Sequence, residues 1–112
     1  YTPDISGQHE FELFGIGKAR LLIDGEELID NWTETSPGEA FFSFSSNSKK
    51  AIVDLIKGKT YQLEIRYKFE GNFPAIYIGC QSPDKINLFN EALDLANSAD
   101  KVILIVGTNS DW

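Results

Sequence analysis

Apolar and polar residues alternate with a period of two along several short stretches of this chain. The longest such stretch is residues 61–69, where every second side chain is large and apolar. The apolar positions are Tyr61, Leu63, Ile65, Tyr67 and Phe69. A period of two places these side chains on one face of a β-strand. We therefore predict that this strand packs its five apolar side chains inward and anchors the core, each contributing roughly 1.5–3 kcal/mol when buried.

Shorter stretches predict further strands. Residues 9–14 place Phe11 and Leu13 on one face, residues 51–55 and 75–80 are apolar-rich, and the aromatic run 40–44 predicts another short strand. The segments between them are rich in Gly, Pro, Ser and Asn, which are turn-forming residues. Six or seven short strands joined by turns indicate an antiparallel β-sandwich or barrel.

The central hairpin is the clearest local prediction. Apolar-rich runs at residues 19–23 and 28–32 flank Asp24 and Gly25. A two-residue Asp-Gly loop favours a tight hairpin because both residues tolerate positive φ. We predict two antiparallel strands joined at this turn.

The pattern changes after residue 82. Ser82-Pro83-Asp84 is typical of a helix start, and apolar residues then recur every three or four positions, which predicts an amphipathic helix. The aliphatic run Val102–Val106 is typical of a strand buried in a parallel sheet. A helix followed by such a strand indicates an α/β domain, so we place a domain boundary near residue 83.

Composition narrows the possible partners. The chain of 112 residues has ten Lys and Arg against seventeen Asp and Glu, a net charge of −7, which disfavours nucleic acid and anionic membrane surfaces. It lacks an apolar run long enough to span a membrane. The single cysteine, Cys80, allows no internal disulfide, and both a cytoplasmic and a secreted location remain open.

Several fixed-spacing elements occur in an order that resembles a known module. They are Tyr1-Thr2-Pro3, Ser6-Gly7, Phe11, Ala19-Arg20-Leu21, Ile23-Asp24-Gly25 and Ile29-Asp30-Asn31-Trp32. This pattern is similar to the protective-antigen type (PA14) domain, and Gly38-Glu39-Ala40-Phe41-Phe42 resembles the version inserted into β-glucosidases of glycoside hydrolase family three. The resemblance covers about residues 1–80 and implies a β module that lacks its first strands, within a chain that began earlier than Tyr1.

Residues 99–112 resemble the opening of the second, α/β sandwich domain of the same enzymes. The resemblance implies that residues 1–82 are the β module and that residues 83–112 begin the α/β domain. It also implies that the loop containing Asp111 and Trp112 contributes to the active site and that the general acid/base Glu follows shortly after Trp112. The nucleophilic Asp would lie on a separate barrel domain. A retaining glycosidase needs both carboxyl groups, so we expect no catalytic residue in this chain, no activity from it alone and no cofactor.

The aromatic loop after residue 68 is the candidate carbohydrate contact. Phe69, Glu70, Asn72 and Phe73 combine apolar rings with carboxylate and amide groups in a loop, where such rings have little structural reason to be. The same loop could equally pack on a neighbouring domain. Trp32, Phe41 and Phe42 could also stack on a sugar, although we expect Phe41 or Phe42 to point into the core.

Other candidate sites have simpler explanations. Asp24 and Asp30 could bind a cation, but calcium-dependent adhesin relatives of the module use adjacent aspartates, which this sequence lacks. We expect Asp24 to be a turn residue and Asp30 a hydrogen-bond acceptor at a strand end. His9 is expected to face solvent, and Gly15-x-Gly17 lacks the context of a phosphate-binding loop. The glycosylation triplet at Asn31 often arises by chance.

Together these observations predict the non-catalytic module of a retaining β-glucosidase that hydrolyses terminal β-D-glucosyl bonds. Its partners would be β-glucosides or oligosaccharides and the catalytic barrel and α/β domains of the same parent chain. A free-standing carbohydrate-binding or adhesin module, and a structural spacer that binds nothing, remain as alternatives.

Overall fold

The computed structural model describes residues 1–69 and 73–103. Its strands are β1 (Gly7–Ile16), β2 (Lys18–Ile23), β3 (Glu26–Asn31), β4 (Lys49–Leu55), β5 (Leu63–Lys68) and β6 (Ala75–Gln81). They form two three-stranded antiparallel sheets, ordered β4-β1-β6 and β3-β2-β5. The helical elements are the single turn α1 (Ala40–Ser43) and the longer α2 (Pro83–Ser98). The predicted mainly β class is confirmed.

The core is formed chiefly by the two central strands, β1 and β2. Phe11 and Leu13 of β1 and Ala19 and Leu21 of β2 are almost completely buried, as the alternation along β1 predicted. Ile29, Leu55 and Tyr61 complete this cluster. Because both central strands have a strand on each side, their inward side chains are shielded from water.

The Asp24-Gly25 hairpin is confirmed. Both residues have positive φ, 49° and 87°, as a type I′ turn requires. Asp24 also joins the hairpin to the segment before β5: its Oδ1 accepts a hydrogen bond from the Gln62 backbone N at 2.8 Å, and its own N donates to the Gln62 carbonyl O at 2.9 Å. This aspartate is therefore a turn residue, as expected.

The prediction that residues 61–69 anchor the core is wrong in part. Tyr61 is buried and Leu63 and Tyr67 are half-buried, but Ile65 and Phe69 are 45% and 41% exposed. The reason is that β5 lies at the edge of its sheet. The alternation of apolar and polar residues correctly predicted the strand. It did not reveal that the facing sheet leaves part of the inner face of β5 exposed.

The expectation that His9 faces solvent is wrong. Its side chain lies on the buried face of β1 with Phe11 and Leu13 and is only 1% exposed. The predicted strand at residues 40–44 is also wrong, since these residues form α1 and the position after it.

The predicted helix is confirmed as α2, which begins at Pro83 after an extended Ser82. Neither helical element in the described residues could span a membrane.

Val102 and Ile103 have no regular secondary structure, and the remaining residues of the predicted strand at 102–106 lie outside the described ranges. The strand and the domain boundary near residue 83 therefore stay predictions.

Two glycine substitutions should separate a steric requirement from a conformational one. At Gly15 a Cβ would lie 2.6 Å from the Ala75 carbonyl O, whereas at Gly25 it would meet nothing within 4 Å and suffer only from the positive φ. We expect Gly25→Ala to lower the free energy of unfolding by about 1 kcal/mol and Gly15→Ala by about 2–3 kcal/mol. Urea unfolding measures both, and a milder loss for Gly15→Ala would contradict the proposed backbone clash.

Candidate functional site

Several exposed aromatic residues gather at the end of the sandwich where β1 finishes. Phe14 stacks on Tyr77 of β6 with ring centroids 4.6 Å apart, and Phe41 packs on Phe14 in a tilted arrangement at 5.8 Å. Phe41 is thus the partly covered member of the Phe41-Phe42 pair, while Phe42 is 95% exposed. Neither ring enters the core, since Phe41 is itself 37% exposed, so the expectation that one of the two points into the core is wrong.

Element α1 holds Phe42 in solvent through an unusual backbone. Phe41, Phe42 and Ser43 have φ values of 52°, 59° and 65°, so three consecutive non-glycine residues are left-handed. Each such residue costs about 1–2 kcal/mol relative to right-handed geometry. Strain of this kind is concentrated at functional sites, which makes the turn a candidate binding element.

The two ends of this turn are closed by backbone hydrogen bonds. The Gly38 N donates to the Ser45 carbonyl O at 2.8 Å, and Pro37 and Ser46 form an isolated antiparallel bridge. A Cβ at Gly38 would lie 2.4 Å from the Ser46 carbonyl O, so only glycine fits. The Ser46 N in turn donates to the Gly15 carbonyl O at 2.8 Å. The turn is therefore a closed loop fixed to the end of β1.

One residue of the predicted aromatic loop, Phe73, lies beside Phe44. Phe73 is 60% exposed and meets Phe44 edge to face, with ring centroids 6.4 Å apart. Phe69, just after β5, is 41% exposed. Glu70 and Asn72, as well as Asp111 and Trp112, lie outside the described residues. The sequence analysis named Phe42 only as a further possible sugar contact and did not consider Phe44, because the aromatic run at 40–44 predicted a strand.

A cavity of about 430 Å³ lies beside Phe44. It is lined by Gly17, Lys18, Thr35, Ser36, Pro37, Ser43, Phe44, Ser45 and Ser46. The Ser45 hydroxyl is buried and has no hydrogen-bond partner among the described residues. A buried hydroxyl without a partner is costly, and the Ser45 oxygen is too enclosed for a ligand in the cavity to reach it.

Asn31 holds one side of this cavity in place through its hydrogen bond to Ser46. Its Nδ2 donates to the Ser46 Oγ at 2.8 Å and to the Asn47 carbonyl O at 3.0 Å, with the Leu13 carbonyl O at 3.4 Å. Asn31 is 1% exposed. Its amide is thus committed inside the folded protein and is not accessible to a glycosylating enzyme.

Asp30 is a hydrogen-bond acceptor at the end of its strand, as expected. Its Oδ1 accepts from the backbone N of Trp32 at 2.8 Å and of Thr33 at 3.1 Å, and from the Arg20 Nε at 3.2 Å. Hydrogen bonding with Thr33 first, then with the Trp32 backbone, together with the Arg20 charge, holds the pKa of Asp30 well below its usual range. In the described ranges, no group of three or more His, Cys, Asp or Glu side chains could hold a metal ion.

Comparison with known proteins places this geometry in context. The family model described as the PA14 domain matches residues 1–73. A probable beta-glucosidase H from Aspergillus clavatus is 32% identical over the whole chain, and a beta-glucosidase from Rhizobium radiobacter is 29% identical. The chain spans only 15% and 14% of those two proteins.

A solved structure has the same fold. The beta-glucosidase from Kluyveromyces marxianus in complex with glucose superimposes with a TM-score of 0.69 over 89% of this chain and 12% of that one, at 22% identity. The chain thus resembles a small part of proteins named as β-glucosidases.

Asn31→Asp should destabilise the fold strongly. The substitution keeps the shape but removes the amide donor and points a carboxylate at the Leu13 and Asn47 carbonyl oxygens, which are also acceptors. We expect the free energy of unfolding to fall by about 2–3 kcal/mol in urea titrations. Asn47→Asp is the matched control, because the Asn47 Oδ1 acts as an acceptor for the Ser48 N and an aspartate retains it. Equal losses would contradict the donor role of Asn31.

Asp30→Asn should reduce the acid sensitivity of folding. A carboxylate whose pKa is depressed in the folded state stabilises that state above its unfolded pKa of about 4, and this contribution is lost as the pH falls toward the folded-state value. We expect a loss of about 1 kcal/mol at neutral pH and a shallower decline of stability below about pH 4 than in the wild type. Urea unfolding across this pH range measures it, with Glu26→Gln, an exposed carboxylate of the same hairpin, as the control. An unchanged acid profile would refute the role of Asp30.

Proposed function

Because this chain belongs to the protective-antigen type (PA14) domain family, we propose that it is the non-catalytic, carbohydrate-contacting module of a retaining β-glucosidase of glycoside hydrolase family three. The parent protein would hydrolyse terminal non-reducing β-D-glucosyl residues from β-glucosides or oligosaccharides. Relatives named as β-glucosidases align with the entire chain, which supports this parentage.

The proposed contact with carbohydrate is supported chiefly by one observation. Phe44 meets Phe73 edge to face, and Phe44 also lines a cavity that is bordered by Ser and Thr residues. A pyranose has an apolar C–H face that fits an aromatic ring and hydroxyl groups that pair with polar side chains. The cavity of about 430 Å³ is lined by hydroxyl-bearing residues, among them Thr35, Ser36 and Ser43. Phe42, which the left-handed turn exposes to solvent, would extend the apolar surface that Phe44 and Phe73 form. We call these three rings the aromatic wall.

The remaining assignments are parts of the same proposal. Phe69, Glu70 and Asn72 would border the aromatic wall from the β5–β6 loop. Residues 83–112 would begin the α/β domain, and the exposed Phe89 and Leu93 of α2 give that helix an apolar surface for another part of the parent to cover. Asp111 and Trp112 would then lie in the active-site loop, and the acid/base Glu would follow them.

The proposal predicts that the wall selects the leaving group. In the full-length parent, Phe73→Ala and Phe42→Ala should each lower kcat/KM about three- to tenfold for a β-glucosyl disaccharide, because one ring contact is lost. Methyl β-glucoside, whose aglycone is too small to reach the wall, should be hydrolysed at nearly the wild-type rate. Steady-state kinetics on the two substrates measures this difference.

Ile56→Ala is the matched control. Ile56 is 60% exposed, like Phe73, but follows β4 at the opposite end of the sandwich, where Leu55 pairs with Gly7. We expect this variant to affect neither substrate. If Phe73→Ala and Phe42→Ala also leave the ratio between the two substrates unchanged, the module is a structural spacer and the contact role is refuted.

A further inference from the structure

One side of the sandwich is open. β3 packs on β4 at the closed side, which leaves the edge strands β5 and β6 together at the other side. Leu13 and Leu21 of the central strands are completely buried. Their partners on the edge strands, Ile78 and Ile65, are 36% and 45% exposed, and Ile76 on the same face is 37% exposed. Apolar side chains that point toward the core thus meet water along this side.

The gap between the two edge strands is bridged at both ends. At one end Tyr67 of β5 reaches the start of β6, where the Ala75 backbone N donates to the Tyr67 hydroxyl at 3.2 Å. At the other end the Cys80 thiol donates to the Tyr1 hydroxyl at 3.6 Å, and the Tyr1 backbone lies beside Tyr61, just before β5. The open side is therefore a gap of fixed shape.

Tyr1 already pairs with the chain as an antiparallel strand does. Its backbone N donates to the Tyr61 carbonyl O at 2.9 Å, and the Tyr61 N donates to the Tyr1 carbonyl O at 2.8 Å. Two reciprocal bonds of this kind define a hydrogen-bonded pair of an antiparallel ladder. In such a ladder, residues before Tyr1 run alongside the residues after Tyr61, which form β5.

The backbone of β5 is oriented to continue this ladder. The Gln62 carbonyl O accepts from the Asp24 N at 2.9 Å, on the side of β2. Successive residues of a strand direct their backbone groups to opposite sides, so Leu63, Ile65 and Tyr67 direct theirs away from β2. Among the described residues, no strand pairs with that side of β5. An unpaired strand edge is a site for the addition of another strand.

We propose that the residues immediately before Tyr1 in the parent protein form a β-strand that pairs antiparallel with β5 and covers the open side of the sandwich. This inference rests on the part of the proposed function that makes the chain a piece of a longer protein. The relatives of which it spans 15% and 14% have the additional length that such a strand requires.

The register follows from the pairing of Tyr1 with Tyr61. Continued along β5, it places the second, fourth and sixth residues before Tyr1 opposite Leu63, Ile65 and Tyr67. Residues directly opposite each other share a face of the sheet, and here that face is the inner one. We therefore expect these three upstream positions to be apolar and the positions between them to be polar.

A designed disulfide tests this register in the full-length protein. Glu64→Cys is combined with a cysteine at the third residue before Tyr1, which the register makes the non-hydrogen-bonded partner of Glu64. Such partners have Cα atoms about 4.5 Å apart, within the range that a disulfide spans. The matched control moves the upstream cysteine to the second residue before Tyr1, where its side chain points to the opposite face.

We expect mild oxidation to give about tenfold more disulfide in the first variant than in the control. Peptide mass spectrometry of the non-reduced digest measures both. Equal yields, a higher yield in the control, or no disulfide in either variant would overturn the proposal. A disulfide between two molecules would place a second copy at the β5 edge and would overturn it as well.

Hydrogen exchange of the unsubstituted full-length protein decides the question if the cysteine variants do not fold. With strands on both sides of β5, a peptide covering this strand should retain about twice as many slowly exchanging amides as pairing with β2 alone allows. Protection of only every second amide would refute the added strand. Neither measurement involves substrate, so its failure leaves the proposed carbohydrate contact to be judged by the kinetics of Phe73→Ala.

Discussion

The side-chain amide of Asn31 is the interaction on which the candidate site depends. It stands at the end of β3 in one sheet, faces the Leu13 carbonyl of β1 in the other, and donates to Ser46 and Asn47 in the segment that follows the aromatic turn. Two sheets and one loop therefore share a single buried donor group. The position of the aromatic turn depends on this junction, because the Pro37–Ser46 bridge is the one strand-like pairing of that segment among the described residues.

The backbone hydrogen bonds at the base of the loop explain how a strained turn can persist. Three left-handed residues in succession are unfavourable by themselves. They survive because both ends of the segment are fixed, at Gly38 and Ser45 by a backbone hydrogen bond and at Ser46 by the bond to Gly15. The contacts of the loop with the sandwich thus offset the conformational cost of the left-handed turn that exposes Phe42. Such strain is tolerated where the surrounding structure determines the backbone.

The sequence predicted local elements better than their surroundings. Asp24-Gly25 predicted the hairpin because turn chemistry depends on the two residues themselves. The aromatic run at 40–44 misled because β-propensity reflects packing on a sheet, and this segment has no sheet to join. Alternation at residues 61–69 identified the inward face but could not show that β5 is an edge strand. His9 was misjudged although the signal was present, since it shares the parity of Phe11 and Leu13.

The candidate site was recovered only in part from the sequence. Phe73 was predicted as a ligand contact because an aromatic side chain in a loop has little packing role. The structure places its ring beside Phe44. Phe44 itself was missed, because its neighbourhood depends on the long-range junction at Asn31 rather than on adjacent residues.

The absence of space for a Cβ at Gly38 has a consequence for how such modules diversify. The close contact of Gly38 with the Ser46 carbonyl fixes the base of the loop, so the six residues between Gly38 and Ser45 form a tip that meets the sheets mainly through the contact of Phe41 with Phe14. Changes in their sequence or number would alter what the tip presents while the sandwich below stays the same. Variation in recognition and conservation of architecture can therefore coexist in one short stretch of chain.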